Sequence, residues 1–289
     1  MVTEDAYKYV APSFAGTANR LDAVKTWQAS LDTDKDIGLN SMHNYMGGAT
    51  SPGVTLAHTL MNHTAVVYSV TQHVNILNKL EDQGLTTGVP YILGEMNSLY
   101  HQGAPGLSDS SGAALWGVDF NLYCASQNIR RTHMHQGTNY RYASWEPIET
   151  NSTSIGTKAP YYGNAMVAAM LSGKGGESVQ VVNLPLAGET EAAYAAYVNG
   201  QLSRIAMQEY NSTEPSRGSA TYQFSRLLAD GSDAISGITW DGWSYNYELK
   251  GGKPVRLSNI TIGETVSADS NGFVQLEVPF SSAAILNLI

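Results

Sequence analysis

Glu95 is the residue whose surroundings best suit it to chemistry. It follows Tyr91-Ile92-Leu93-Gly94, an apolar run rich in strand formers, and is followed by Met96-Asn97-Ser98. The run predicts a buried strand over 91–94 that ends by handing a carboxylate to an exposed rim. A carboxylate beside such a run is costly unless it is paired, protonated or used. At the C-terminal end of a barrel strand, a Glu is placed to act as nucleophile in the cleavage of a glycosidic bond. That reading outweighs a helix-capping or salt-bridged Glu, because the residue ends a strand and does not start a helix.

Two further clusters have matching chemistry. In Ser41-Met42-His43-Asn44-Tyr45, His43 and Tyr45 alternate with Asn44 and share a strand face. If their strand neighbours that of Glu95, the Tyr45 hydroxyl can donate to the carboxylate and keep it ionised. His133 and His135, at i and i+2, have the spacing of two metal ligands on one strand. No third ligand accompanies them, so packing at the rim is the better reading. The aromatic-rich loop Thr138-Asn139-Tyr140-Arg141-Tyr142-Ala143-Ser144-Trp145 follows. Rings and hydroxyls together suit a sugar, which shows an apolar face and a polar edge. The plainer reading is a loop pinned to the core by Trp145. There is no Gly-rich nucleotide fingerprint between a strand and a helix, and no Gly-Xaa-Ser-Xaa-Gly elbow.

The elements that must carry these residues alternate through the first half. Strands are predicted over 7–15, 37–45, 91–94 and 129–135. Helices are predicted over 21–31, 54–80, 113–127 and 165–171. Four repeats of strand and helix argue for parallel βα units. From residue 174 onward the pattern changes to short strands over 178–184, 192–198, 201–208, 221–227 and 274–288. Gly-Gly turns at 175–176 and 251–252 lie among them. These read as an antiparallel β-sandwich domain. The expected class is therefore α/β plus all-β, divided into residues 1–173 and 174–289.

The 289 residues are 43% hydrophobic and 14% charged, with a net charge of −9. An acidic balance argues against nucleic acid or an anionic membrane as partner, and gives no long-range attraction for an acidic ligand. The single cysteine, Cys124, excludes an internal disulfide framework and reads as a buried, inert thiol. Asn62, Asn151, Asn211 and Asn259 open Asn-Xaa-Ser/Thr acceptors, which lean toward a secretory origin. The opening Met1-Val2-Thr3-Glu4-Asp5 has no apolar targeting core.

Long motifs add a resemblance. Gly94-Glu95-Met96-Asn97-Ser98-Leu99-Tyr100, Gly103-Ala104-Pro105-Gly106, Ala114-Leu115-Trp116-Gly117-Val118-Asp119 and His133 through Tyr142 closely resemble fungal β-glucuronidases of glycoside hydrolase family 79, relatives of heparanase. The resemblance covers nearly the whole chain. It implies a (β/α)8 TIM barrel followed by a C-terminal β-sandwich, retention of anomeric configuration, a secreted enzyme and no cofactor. It implies that Glu95 is the nucleophile at the end of barrel strand seven, that Tyr45 supports it from strand six, and that Tyr100 and Tyr142, with backbone near Gly103, hold the glucuronate carboxylate. His43 and His135 would line the same pocket. The substrate would be a glycan bearing β-linked glucuronic acid or its 4-O-methyl form.

One departure bears on mechanism. The resemblance places the strand over 7–15 fifth in the barrel and puts an acid/base glutamate after an Asn at the end of strand four. No Asn-Glu pair occurs upstream of Glu95. The sequence is therefore expected to be the C-terminal portion of such an enzyme, impaired alone because retaining hydrolysis uses two carboxyl groups, and dependent on an N-terminal half as partner. Two competing expectations follow: a truncated, non-catalytic remnant that binds sugar or a partner protein, and a heparanase-like endo-enzyme. The acidic balance weighs against the second.

Overall fold

A computed structural model of the chain describes residues 8–18, 20–173, 177–209, 216–217, 221–270 and 273–289. Four strands, β1 (Tyr9–Phe14), β2 (Ile37–Gly48), β3 (Tyr91–Tyr100) and β4 (Arg131–Met134), pair in parallel in the order β1-β2-β3-β4. Between them run α1 (Ala23–Gln28), α2 (His63–Asp82) and α3 (Ser111–Ser126). The alternation expected from the sequence is therefore present as an open parallel sheet. No closed barrel forms among the described residues.

Several boundaries differ from expectation. The strand of Glu95 does not stop at Gly94 but continues to Tyr100, and β2 runs to Gly48 alongside it. Glu95 is thus mid-strand. Met42 pairs with Leu93 and His43 with Glu95, so Gly94 is an extra residue, a bulge that is also out of step with β4. The bulge needs a glycine there: a Cβ on residue 94 would overlap the Oγ of buried Ser41. The helix expected over 54–80 is two pieces, a π-turn at Leu56–Leu60 and then α2. The break falls at Asn62, whose side chain accepts from the Ala65 N–H at 2.8 Å and so caps a new helix.

After β4 come the short pair β5 (Trp145–Glu146) and β6 (Gly156–Thr157), then α4 (Ala159–Leu171). The last begins six residues earlier than its apolar period indicated, because Pro160 occupies the first turn, where a missing N–H costs nothing.

The second half contributes β7 (Val179–Leu184), β8 (Ala192–Val198), β9 (Gln201–Glu209), β10 (Ser216–Arg217), β11 (Thr221–Leu228), β12 (Thr239–Trp240), β13 (Trp243–Ser244), a short α5 (Tyr247–Lys250), β14 (Val255–Arg256), β15 (Thr265–Ser267), β16 (Phe273–Val274) and β17 (Ser282–Leu288). The run expected over 274–288 is thus two strands, β16 and β17. Among the described residues the strands form one large antiparallel sheet, β14-β13-β12-β11-β17-β9-β8-β7 with β15 on β11, plus a β10–β16 ribbon. The pattern implied two sandwiched sheets. Here the second layer over Ile205, Tyr222, Phe224 and Leu286 includes Val274 of the ribbon. Gly251 and Gly252 turn the chain after α5 with φ of 58° and 77°; positions 175–176 lie outside the described residues.

α3 explains how the halves meet. It is buried on nearly every side, as a helix between two layers must be. Leu115, Trp116 and Phe120 share one cluster with Leu93 and Met96 of β3 and with Ala192, Tyr194 and Ile285 of the antiparallel sheet. Gln208 of β9 donates to the Leu115 carbonyl at 2.5 Å. Across the same face, His63 and Tyr194 both bond the Asp119 carboxylate, His63 at 2.9 Å. Burial opposes a proton on His63, but Asp119 overrides it and raises its pKa. Cys124 is fully buried, and burial pushes its thiol up. No helix among the described residues is long and apolar enough to cross a membrane.

Candidate active site

The β2–β3 register creates the site. His43 lies opposite Glu95 and Tyr45 opposite Asn97. The Tyr45 hydroxyl donates to Glu95 Oε1 at 2.9 Å, and His43 Nδ1 is 3.8 Å from the same oxygen. Burial, then the bond to Glu95, pushes the Tyr45 hydroxyl well above the usual phenol range, so it is a fixed donor and not a base. His135 Nδ1 is 2.9 Å from the Tyr142 hydroxyl and 3.5 Å from that of Tyr45. Burial raises Tyr142 as well. Tyr100 sets its ring edge-on to Tyr45, with centroids 6.3 Å apart. A Cβ on Gly48 would strike the Tyr100 ring at 2.7 Å, so a glycine opens the seat that Tyr100 fills.

β3 then leaves the sheet through a tight left-handed segment. His101, Gln102 and Gly103 have φ of 65°, 69° and 79°. Side chains with a Cβ pay for that region, and such strain gathers at working sites. The segment is tied down on both sides. The Arg141 N–H donates to the Gln102 carbonyl at 2.8 Å, and the Ala104 N–H donates to Ser108 Oγ at 3.1 Å. Gly103 is wedged between Ser108 and the Tyr142 backbone.

Five of the six residues singled out beside Glu95 form one connected cluster with it, His43, Tyr45, Tyr100, His135 and Tyr142, and Gly103 adjoins that cluster through the Tyr142 backbone. His133 does not join them and is exposed on β4. Among the described residues no group of three potential ligands could hold a metal. The loop after β4 is not pinned by Trp145, which is 58% exposed. Tyr142, Ala143, Ser144 and Glu146 are the buried residues there, and Glu146 accepts from the Asn139 N–H at 3.1 Å. The sequence reading missed Asn97, which donates to the His135 carbonyl at 3.0 Å and sets that rim against β3. It also missed the buried Ser98–Ser108 bond of 2.9 Å and His73, which bonds Tyr91 and Asn44 behind β2. Only the cluster of small polar residues after Glu95 signalled the first two.

Of the glycan acceptors, Asn151 and Asn259 are exposed and Asn62 is occupied as a helix cap. Asn211 lies outside the described residues.

Residues 193–285 match the glycosyl hydrolase family 79 C-terminal beta domain. A beta-glucuronidase of Aspergillus niger is 62% identical over 97% of this chain, and one of Neurospora crassa is 45% identical over 98%. The chain resembles the family 79 β-glucuronidases. It spans 56% and 60% of the length of these two relatives. Among solved structures, a 4-O-α-L-rhamnosyl-β-D-glucuronidase from Fusarium oxysporum superposes with a TM-score of 0.76 at 20% identity, over 95% of this chain and 58% of that one. An α-L-arabinofuranosidase from Thermotoga maritima does so with 0.62 at 12% identity, over 99% and 58%. At those identities the likeness is one of fold. The fold is thus mixed α/β with a large antiparallel sheet of the family 79 C-terminal kind.

Proposed function

We propose that this chain provides the nucleophile half of a retaining β-glucuronidase acting on glycans with terminal β-linked glucuronic acid or its 4-O-methyl form. The observation that carries the reading is Glu95 on a β-bulge, bonded by the Tyr45 hydroxyl and ringed by tyrosines, in a chain 62% identical to a beta-glucuronidase. Glu95 attacks the anomeric carbon and forms a glycosyl ester, which water then hydrolyses. Tyr45 orients the attacking carboxylate. Tyr100 and Tyr142 donate to the sugar's own carboxylate, helped by the backbone at Gly103. Neutral donors fit a surface of net charge −9, because they recognise an acid without a basic field.

Retaining hydrolysis needs a second carboxyl group about 5–5.5 Å from the first. Among the described residues Glu95 is the one carboxylate lining its cleft, and in this reading an N-terminal half supplies the proton donor. In this reading the four parallel strands of residues 1–173 are barrel strands five to eight, residues 174–289 form the appended β domain, and an N-terminal half completes the barrel. In the same reading the protein is secreted, and among the described residues Asn151 and Asn259 are its exposed acceptors.

A 2-fluoro-glucuronyl fluoride tests the reading, since its fluoride leaves without an acid catalyst. Intact-protein mass should rise by one glycosyl unit, and peptide mapping should place the label on Glu95. Label on another residue, or none on folded protein, would overturn the assignment.

A further inference from the structure

The second layer over the antiparallel sheet stops short. Tyr222, Phe224, Arg226 and Leu228 alternate along β11 and so share one face. Tyr222 and Phe224 are covered there, in one buried cluster with Val274. Arg226 and Leu228 instead line a cavity of about 390 Å³, together with residues 259–261, Glu264, Glu277 and Pro279. That volume is at the low end of the roughly 300–1,000 Å³ of small-ligand sites.

The lining is firm and chemically mixed. Arg226 Nε donates to Glu264 Oε2 at 3.0 Å, and its Nη1 donates to the Glu277 carbonyl at 3.0 Å. The guanidinium carbon lies 5.1 Å from the centre of the Phe224 ring. These bonds occupy two of the five N–H donors of a guanidinium and leave others for a ligand oxygen. Leu228, Ile260 and Pro279 supply apolar surface, and the Glu264 and Glu277 carboxylates can accept from hydroxyls. Asn259 lines the same cavity yet is exposed, so it stands at the rim. It sits in a turn closed by the Ile260 N–H, which donates to the Leu257 carbonyl at 3.4 Å. It also opens Asn259-Ile260-Thr261, a glycan acceptor.

We propose that this cavity seats the first N-acetylglucosamine units of a glycan attached to Asn259. The acetamide carbonyl meets Arg226, the sugar hydroxyls meet the two glutamates, and the apolar ring face lies on Leu228 and Pro279. The assignment rests on the secretory reading given above. A tether makes weak contacts sufficient, because a sugar linked to a rim residue is held at an effective concentration of about millimolar. The seated glycan then extends the second layer over the part of β11 that the β10–β16 ribbon does not reach.

The full chain secreted from a eukaryotic host tests this. Glycopeptide mapping should find N-acetylglucosamine on Asn259. An endoglycosidase that cuts between the first two sugars should act on the native protein about tenfold more slowly at Asn259 than at Asn151, as expected of a site that must open before it is cut. After denaturation the two rates should be equal, and Leu228→Ala should remove the difference in the native protein. Asn259→Gln should lower the midpoint of thermal unfolding by about 2–4 °C, whereas Asn151→Gln should leave it unchanged. Equal native rates, protection that survives Leu228→Ala, or an unchanged midpoint in Asn259→Gln overturns the seat. A glycan on Asn151 with none on Asn259 overturns the seat and leaves the secretory reading standing. Bare asparagine at both positions overturns the two together.

Discussion

Substituting Gly103 by alanine separates backbone strain from crowding at the candidate site, because Gly106 on the same loop provides the control. Both glycines have a left-handed φ, 79° and 71°. A residue with a Cβ pays about 1 kcal/mol there. Around Gly106 a Cβ would meet nothing within 4 Å, so Gly106→Ala should cost only that amount. Around Gly103 it would lie 2.7 Å from Ser108 Cβ and 3.1 Å from the Tyr142 backbone nitrogen. Ser108 and Tyr142 are 0% and 2% exposed, so neither has room to retreat. Overpacking of that kind adds about 1–3 kcal/mol, for a total of about 2–4. Urea unfolding of the two variants reads the difference. A second readout is local: the overlap pushes on Tyr142 itself, whose hydroxyl is bonded to His135. Methyl β-glucuronide should therefore bind more weakly to Gly103→Ala and equally well to Gly106→Ala. Equal destabilisation of the two variants, or a Gly103→Ala protein within about 0.5 kcal/mol of the parent, would refute the wedge.

Three other outcomes are expected. Burial holds the His73 imidazole down at about 4, from 6.5; its contribution is therefore complete above pH 6.5 and is lost as pH falls toward 4, at about 1.4 kcal/mol per unit. Urea midpoints measured across that range should flatten in His73→Gln. Gly163→Ala should destabilise α4 although alanine is the better helix former by about 1 kcal/mol, because its Cβ would overlap the Ala114 carbonyl of α3; a rise in melting temperature would contradict that contact. Asn62→Ala should cost about 1 kcal/mol by uncapping α2, visible in thermal unfolding, and in a secretory host the glycan mass should depend on Asn151 and Asn259 and not on Asn62.

Much of this protein was legible in its sequence for a local reason. Strand and helix periods depend on near neighbours, so the βα order of the first half and the antiparallel strands of the second could be read directly. The cluster at Glu95 was legible because Tyr45 lies near the C-terminal end of β2, Tyr100 ends β3 and Tyr142 follows β4, and parallel strands deliver their C-terminal ends to one rim.

Register was decided only in three dimensions. The strand pattern ended at Gly94, yet β3 continues for six more residues because β2 offers a partner as far as Gly48 and the bulge absorbs the mismatch. Whether His43 faces Glu95 depends on that one extra residue, since a slip by one turns every side chain to the other face. The second layer of the β half and the burial of α3 between two sheets likewise depend on contacts between residues far apart in the chain. Sequence determined which groups could do chemistry; the register of β2 against β3 decided which of them meet, because side-chain direction in a sheet follows from pairing and not from residue type.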